Sequence, residues 1–145
     1  MKLNQELAYL IGFWKMRPTV RGIGVVGNIS LQQKFIDLVL KLKLTTPQKM
    51  FIEENSVLFH HIKWKNIFRK VVLQQHDLFG KRNALSAAYL KGMFDSAGRF
   101  EGGRLLIAGT TFRDRMLIER LGFYTRPTGK KLIIAKASEF LDFIK

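Results

Sequence analysis

The chain has no cysteine, so it can hold neither a disulfide nor a thiolate-bound metal, and this absence fits an intracellular protein. Acidic residues are scarce, with 11 Asp and Glu against 25 Lys and Arg in 145 residues. No uncharged apolar stretch approaches the roughly 20 residues that a membrane-spanning helix requires. The first residues, Met1-Lys2-Leu3-Asn4-Gln5-Glu6, bring an early acid and no small-residue cleavage site, so no secretion signal is expected. No Ser/His/Asp set, phosphate-binding glycine loop or zinc spacing occurs, which removes the common sequence marks of enzymes and metal modules. The adjacent His60 and His61 do not change this. Neighbouring residues of a strand point to opposite faces and cannot easily share one metal.

What is present points to a folded domain with an anionic partner. A hydrophobic fraction of 47% argues against disorder, and the length suits one domain with a sizeable core. The net charge of +14 on so small a domain points to a polyanion, most often nucleic acid; an anionic membrane surface fits less well. The charge is evenly shared along the chain. Residues 1–80 carry 12 Lys and Arg against 5 Asp and Glu, and residues 81–145 carry 13 against 6. Equal shares suit two equivalent halves on one ligand better than a basic tail on a neutral body.

The same order of elements is expected twice. In the first half, Asn4 caps a helix through about residue 16, and Pro18 stops it. A short hairpin follows, over 19–21 and 23–26, turning near Gly22. Ser30-Leu31-Gln32-Gln33 reads as a capping box, opening an amphipathic helix with Leu31, Phe35, Ile36, Leu38, Val39 and Leu42 on its apolar side. Strands over 49–53 and 57–63 and a helix over 65–78 complete the half. The second half repeats the plan: a helix over 84–96 capped by Asn83, a hairpin over 99–101 and 104–108, and a helix from Thr111 to Leu121 with Gly122 closing it. Strands over 123–126 and 131–134 follow, then a short helix capped by Ser138. The linker, residues 79–82, is too short to separate independent domains.

Two stretches of this repeat are alike in residues as well as in plan. Ala8-Tyr9-Leu10-Ile11-Gly12-Phe13-Trp14 is matched by Ala88-Tyr89-Leu90-Lys91-Gly92-Met93-Phe94, which runs on into Asp95-Ser96-Ala97-Gly98. Gly12 and Gly92 thus occupy one helical place in the two copies, with Ala8 and Ala88 four residues earlier. Small residues at this spacing allow two helix backbones to approach closely. The run from Leu90 to Gly98 resembles the motif that names the LAGLIDADG homing endonucleases. The resemblance implies an α+β fold: a pseudo-twofold repeat of two α-β-β-α-β-β-α halves, 1–80 and 81–145. Their motif helices cross at the centre, and two antiparallel sheets form a saddle over duplex DNA.

In that family an acid before the last Gly of each motif binds the metal and cuts DNA. The aligned places here hold Arg17 and Ala97, and Lys15 stands at the first acidic place of the first copy. A guanidinium repels Mg²⁺ and an alanine offers it no oxygen, so no metal, cofactor or catalytic residue is expected. Asp95 and Glu101 are the acids that a residual Mg²⁺-dependent nuclease would have to recruit. Strand alternation turns Phe100 to the core and nominates Arg21, Lys49, Lys63, Arg99, Arg104, Arg126 and Lys131 for the concave face, with Arg17 holding the backbone where the family places its metal. The short hairpins leave backbone contacts dominant over base reading. The expectation is a monomeric, catalytically inert binder of nucleic acid, with double-stranded DNA slightly ahead of structured RNA. An RNA-binding role in splicing or on the ribosome competes with it, and so does a structural subunit that binds protein through its apolar helices.

Overall fold

The first motif helix begins where the sequence offers a cap. In the computed structural model, which describes residues 2–145, the Asn4 side chain accepts the Leu7 amide at 2.8 Å and opens α1, Gln5–Lys15. The chain continues through β1 Ile23–Val26, α2 Ile29–Lys41, a 3-10 turn Pro47–Lys49, β2 Phe51–Ile52, β3 Ser56–Phe59, α3 Ile62–Leu73 and α4 Gln75–Phe79. Its second half runs α5 Ala84–Ala97, β4 Gly98–Glu101, β5 Arg104–Ala108, α6 Phe112–Arg120, β6 Thr125–Thr128, β7 Lys131–Ile134 and α7 Ala137–Ile144. All strand pairs are antiparallel. The strands form two sheets, ordered β1-β3-β2 and β4-β5-β7-β6. This is the expected α+β plan, with the two motif helices packed on one another between the sheets.

That central packing rests on two glycines. A methyl group built on Gly12 would lie 2.2 Å from the Tyr89 carbonyl oxygen, and one on Gly92 would lie 2.1 Å from that of Tyr9. Each glycine therefore sits against the backbone of the other helix, at the tyrosine three places before its own counterpart. Ala8 is fully buried beside them and Ala88 is half-buried. Around this contact Leu10, Ile11, Phe13, Leu90 and Met93 are fully buried. Removing each such side chain from water stabilises the fold by about 1.5–3 kcal/mol. Leu105, Ile107, Leu132 and Ile134 of one sheet join the same core, as do Ile23, Val25, Val57 and Phe59 of the other.

Several local expectations are corrected. The strand expected over 19–21 is reduced to a bridge between Pro18 and Val25, because the Thr19 hydroxyl donates to the Arg21 carbonyl and bends the chain. Asn28, not Ser30, caps α2 by accepting the Leu31 amide. The strand expected over 57–63 stops at Phe59, since the His61 ring accepts the Trp64 amide and starts α3. Lys63 therefore lies in the first turn of a helix, and Lys49 lies in the 3-10 turn that Pro47 begins. The helix expected over 65–78 breaks at Gln74 into α3 and α4. Phe100 pairs with Leu105 on the core side but stays 58% exposed, because its edge strand carries it past the helices. β6 begins two residues late because Phe123 turns inward against Phe140. A left-handed Lys136 (φ 54°), rather than Ser138, precedes α7.

Candidate nucleic-acid interface

The sheet faces turned away from the helices follow from register. In the second sheet, Leu105, Ile107, Leu132 and Ile134 point to the core, so the alternate residues point out. The cross-strand pairs Arg99 with Leu106, Glu101 with Arg104, Arg126 with Ile133, and Thr128 with Lys131 share that outer face. Leu106 and Ile133 are nearly covered, forming an apolar floor beneath charged side chains. Glu101 is held by Arg99 at 2.9 Å and by Lys131 at 3.3 Å. Lys131, more than Arg99, keeps its carboxyl below the usual range. Among the described residues Arg104 and Arg126 form no ion pair. Four cations against one acid make this face strongly positive.

The first sheet is different. Gly24 and Phe51 flank Leu58 on its outer face, and Val26 pairs with Ser56. Arg21 is spent on Glu53 at 3.2 Å. The remaining cations of this half lie mostly on helices: Lys34 and Lys41 on α2, and Lys63, Lys65, Arg69 and Lys70 on α3. The charge that is evenly shared along the sequence is thus unevenly placed on the sheets.

At the ends of the motif helices the chemistry is carried by partners that reverse sign between halves. Asp95 of α5 accepts the Tyr9 hydroxyl at 2.5 Å and Lys34 of α2 at 3.4 Å. In the other half Lys15 of α1 donates to Asp114 of α6 at 2.5 Å. There Tyr89 donates to Gln75 at 2.6 Å, and Gln75 donates to Asp114 at 3.0 Å. The motif tyrosines therefore play parallel parts, one directly on a carboxylate and one through an amide. Burial, then the Asp95 carboxylate, pushes the Tyr9 hydroxyl pKa up; burial, then Asp114, does so for Tyr89. Asp114 is buried, so desolvation pulls its pKa upward, but Lys15 and the donors from Thr111 and Gln75 outweigh this and hold it low. Arg17 lies just beyond α1 and donates from Nε to the Ser96 carbonyl at 2.6 Å, closing the open end of α5. Ala97 is the last residue of α5 and is half-buried.

No family model and no curated protein sequence matches the chain. Solved structures do. A variant of I-DmoI in complex with its target DNA in the presence of Mg superposes with a TM-score of 0.68 at 15% identity, over 97% of this chain and 93% of that one. Mesophilic variants of the homing endonuclease I-DmoI give 0.69 at 17%, over 97% and 94%. The N-terminal LAGLIDADG domain of DUF199/WhiA gives 0.63 at 17%, over 97% and 80%. The chain has the LAGLIDADG homing-endonuclease fold. In a LAGLIDADG fold the motif ends are where a divalent metal would sit, and the residues there do not fit one. Ala97 has no donor atom, Arg17 is a cation already engaged with a carbonyl, and Asp95 is occupied by a hydroxyl and an ammonium. Among the described residues no three His, Asp or Glu side chains gather into a metal-binding group.

Of the residues nominated from sequence, the LAGLIDADG scaffold gathers Arg99, Arg104, Arg126 and Lys131 on one sheet face. It leaves Arg21 in the bend before β1, paired with Glu53, sets Arg17 between the motif ends, and places Lys49 and Lys63 outside the strands as well. The Lys15–Asp114–Gln75–Tyr89 chain escaped sequence reasoning. Its only local signal is Asp114 as third residue of the capping box begun by Thr111, which says nothing of a lysine 99 positions away.

Proposed function

We propose that the chain is a catalytically inert, monomeric nucleic-acid-binding protein that acts as one pseudo-symmetric domain, with duplex DNA preferred over RNA. One observation carries this reading: the outer face of β4, β5, β7 and β6 gathers four cations, two of them without an ion pair among the described residues, around one neutralised acid. Such a face meets a phosphate backbone with little sequence dependence. The structures of similar fold include I-DmoI with its target DNA, which supports the preference for DNA. The lack of a carboxylate at positions 17 and 97 supports the inert reading. Specific cleavage with Mg²⁺ or Mn²⁺ that disappeared in Asp95→Asn would overturn it.

The test is competition binding between labelled duplex DNA and structured RNA across a salt series. DNA is expected to win, with affinity falling steeply as salt rises. In Arg104→Ala/Arg126→Ala the log–log salt slope should become shallower by about 2, one for each phosphate no longer neutralised. Affinity at moderate salt should fall about tenfold, with little change between sequences. Arg17→Asp should weaken binding as well, with a melting curve to separate this from the loss of its bond to Ser96. Unchanged slopes and affinities in these variants would reject the interface.

Preference for RNA is the second reading, and the short strands favour it. β1, β2 and β3 have four, two and four residues, too short to lay a long ribbon in a major groove. Winning competition by RNA would move the chain to a role in RNA maturation.

A further inference from the structure

The two outer sheet faces have different chemistry, and a uniform duplex does not match both. The second sheet is basic. On the first sheet the strands present Phe51 (50% exposed) and Val26 (43% exposed). The His60 side chain, on the same face by alternation, meets the Phe51 ring edge-on with centroids 5.5 Å apart. Val20, fully exposed, extends this surface at the tip of the hairpin. The arginine available here, Arg21, is neutralised by Glu53. A phosphate backbone would therefore find few free charges on these strands and would bury apolar side chains without compensation.

We propose that the first sheet is a stacking platform for unpaired bases. The full ligand is then a junction in which a duplex arm on the β4-β5-β7-β6 face opens into a single strand that crosses Phe51 and His60. Exposed aromatic faces stack on any base, and flanking cations track the backbone of a single strand. Both parts are present. Lys49 lies two residues before Phe51 and Lys63 two residues after His61; both are exposed, and among the described residues neither forms an ion pair. The two lysines that leave the strands thus bracket the aromatic pair along the chain. This inference rests on the nucleic-acid reading and narrows it, since a fully paired ligand would use only half of the saddle.

Fluorescence anisotropy would compare a blunt duplex, the same duplex with a short single-stranded overhang, and the overhang strand alone, each as DNA and as RNA. The overhang probe should bind about tenfold tighter than the blunt one, the value of one or two good stacks. Phe51→Ala should remove that advantage and leave the blunt duplex unchanged, which also shows that the variant is folded. Phe51→Trp should keep it. Equal binding of blunt and overhang probes would overturn the proposal. So would an equal loss on both in Phe51→Ala, or an overhang strand that alone binds as tightly as the junction. If no probe binds at moderate salt, the nucleic-acid reading itself falls, an outcome distinct from the rest. The DNA and RNA arms report which backbone the junction carries.

Discussion

Asp114→Ala is expected to lower the unfolding free energy by about 3–5 kcal/mol, the cost of leaving one partner of a buried ion pair alone. A domain of ordinary stability would then be only marginally folded. Asp114 is 1% exposed and the Lys15 side chain 8%, so the ammonium left behind has little solvent and, among the described residues, no other carboxylate partner. The same substitution strips an acceptor from Gln75 and another from the Thr111 amide, opening the capping box of α6. Urea unfolding would measure it. Lys15→Met should also destabilise, and combining the two should cost less than their sum, because the double variant leaves no charge unpaired. An Asp114→Ala protein within 1 kcal/mol of the parent would show that the network does not hold the halves together.

The same network predicts an acid limb with a definite sign. The folded pKa of Asp114 is depressed by Lys15 and its donors against the upward pull of burial. A depressed carboxylate contributes stability that is fully present above the unfolded value, about 3.9. That stability is lost as pH falls through the folded value. Denaturation below about pH 4 should therefore be steeper in the parent than in Asp114→Asn. Glu119, depressed chiefly by the Thr125 hydroxyl, and Glu101, by Lys131, titrate with the same sign but lie at the surface, where solvent screens them.

Legibility in the sequence followed the range of the forces involved. Helix starts governed by a neighbour three residues on, at Asn4, Asn83 and Thr111, were open to reading, because the cap and the amide it serves are both local. The α+β repeat was legible for a related reason: Gly12 and Gly92 recur at one place in two alike stretches, and only a close helix contact gives both a purpose. Failures came where a local preference met a competitor nearby. His61 has a good strand neighbourhood but caps a helix with its ring, and Lys63 went with it. Ser30 had a better rival in Asn28, two residues earlier. At the candidate interface, alternation put Arg99, Arg104, Arg126 and Lys131 on one face because their strands are paired in regular register. It could not show that Arg21 is neutralised, since Glu53 is 32 residues away. Charge counted along a chain is blind to such pairs, and so the contrast between the two sheets emerged only with the fold.

Gly92→Ala tests the centre of that fold and should lower stability by about 2 kcal/mol, with Gly92→Val costing more. Alone on a helix surface the change would be favourable by about 1 kcal/mol, since alanine is the better helix former. The geometry reverses this sign. The new methyl would lie 2.1 Å from the Tyr9 carbonyl oxygen and 2.8 Å from the Phe13 amide nitrogen, and backbone atoms of a packed helix cannot swing aside as a side-chain tip can. The helices must separate, and Leu10, Phe13, Leu90 and Met93 around them pack less closely as they do. Gly12→Ala faces the Tyr89 carbonyl at 2.2 Å and should behave alike. The double variant should cost less than the two singles together, because one separation relieves both clashes. Thermal melting should show a loss of roughly 8 °C for Gly92→Ala at this chain length; a rise in Tm would mean the helices are not in backbone contact. Because α1 and α5 lie between the sheets, separating them also moves one sheet relative to the other. A ligand that spans both should therefore weaken even at temperatures where the variant is fully folded, whereas one held by the second sheet alone should not.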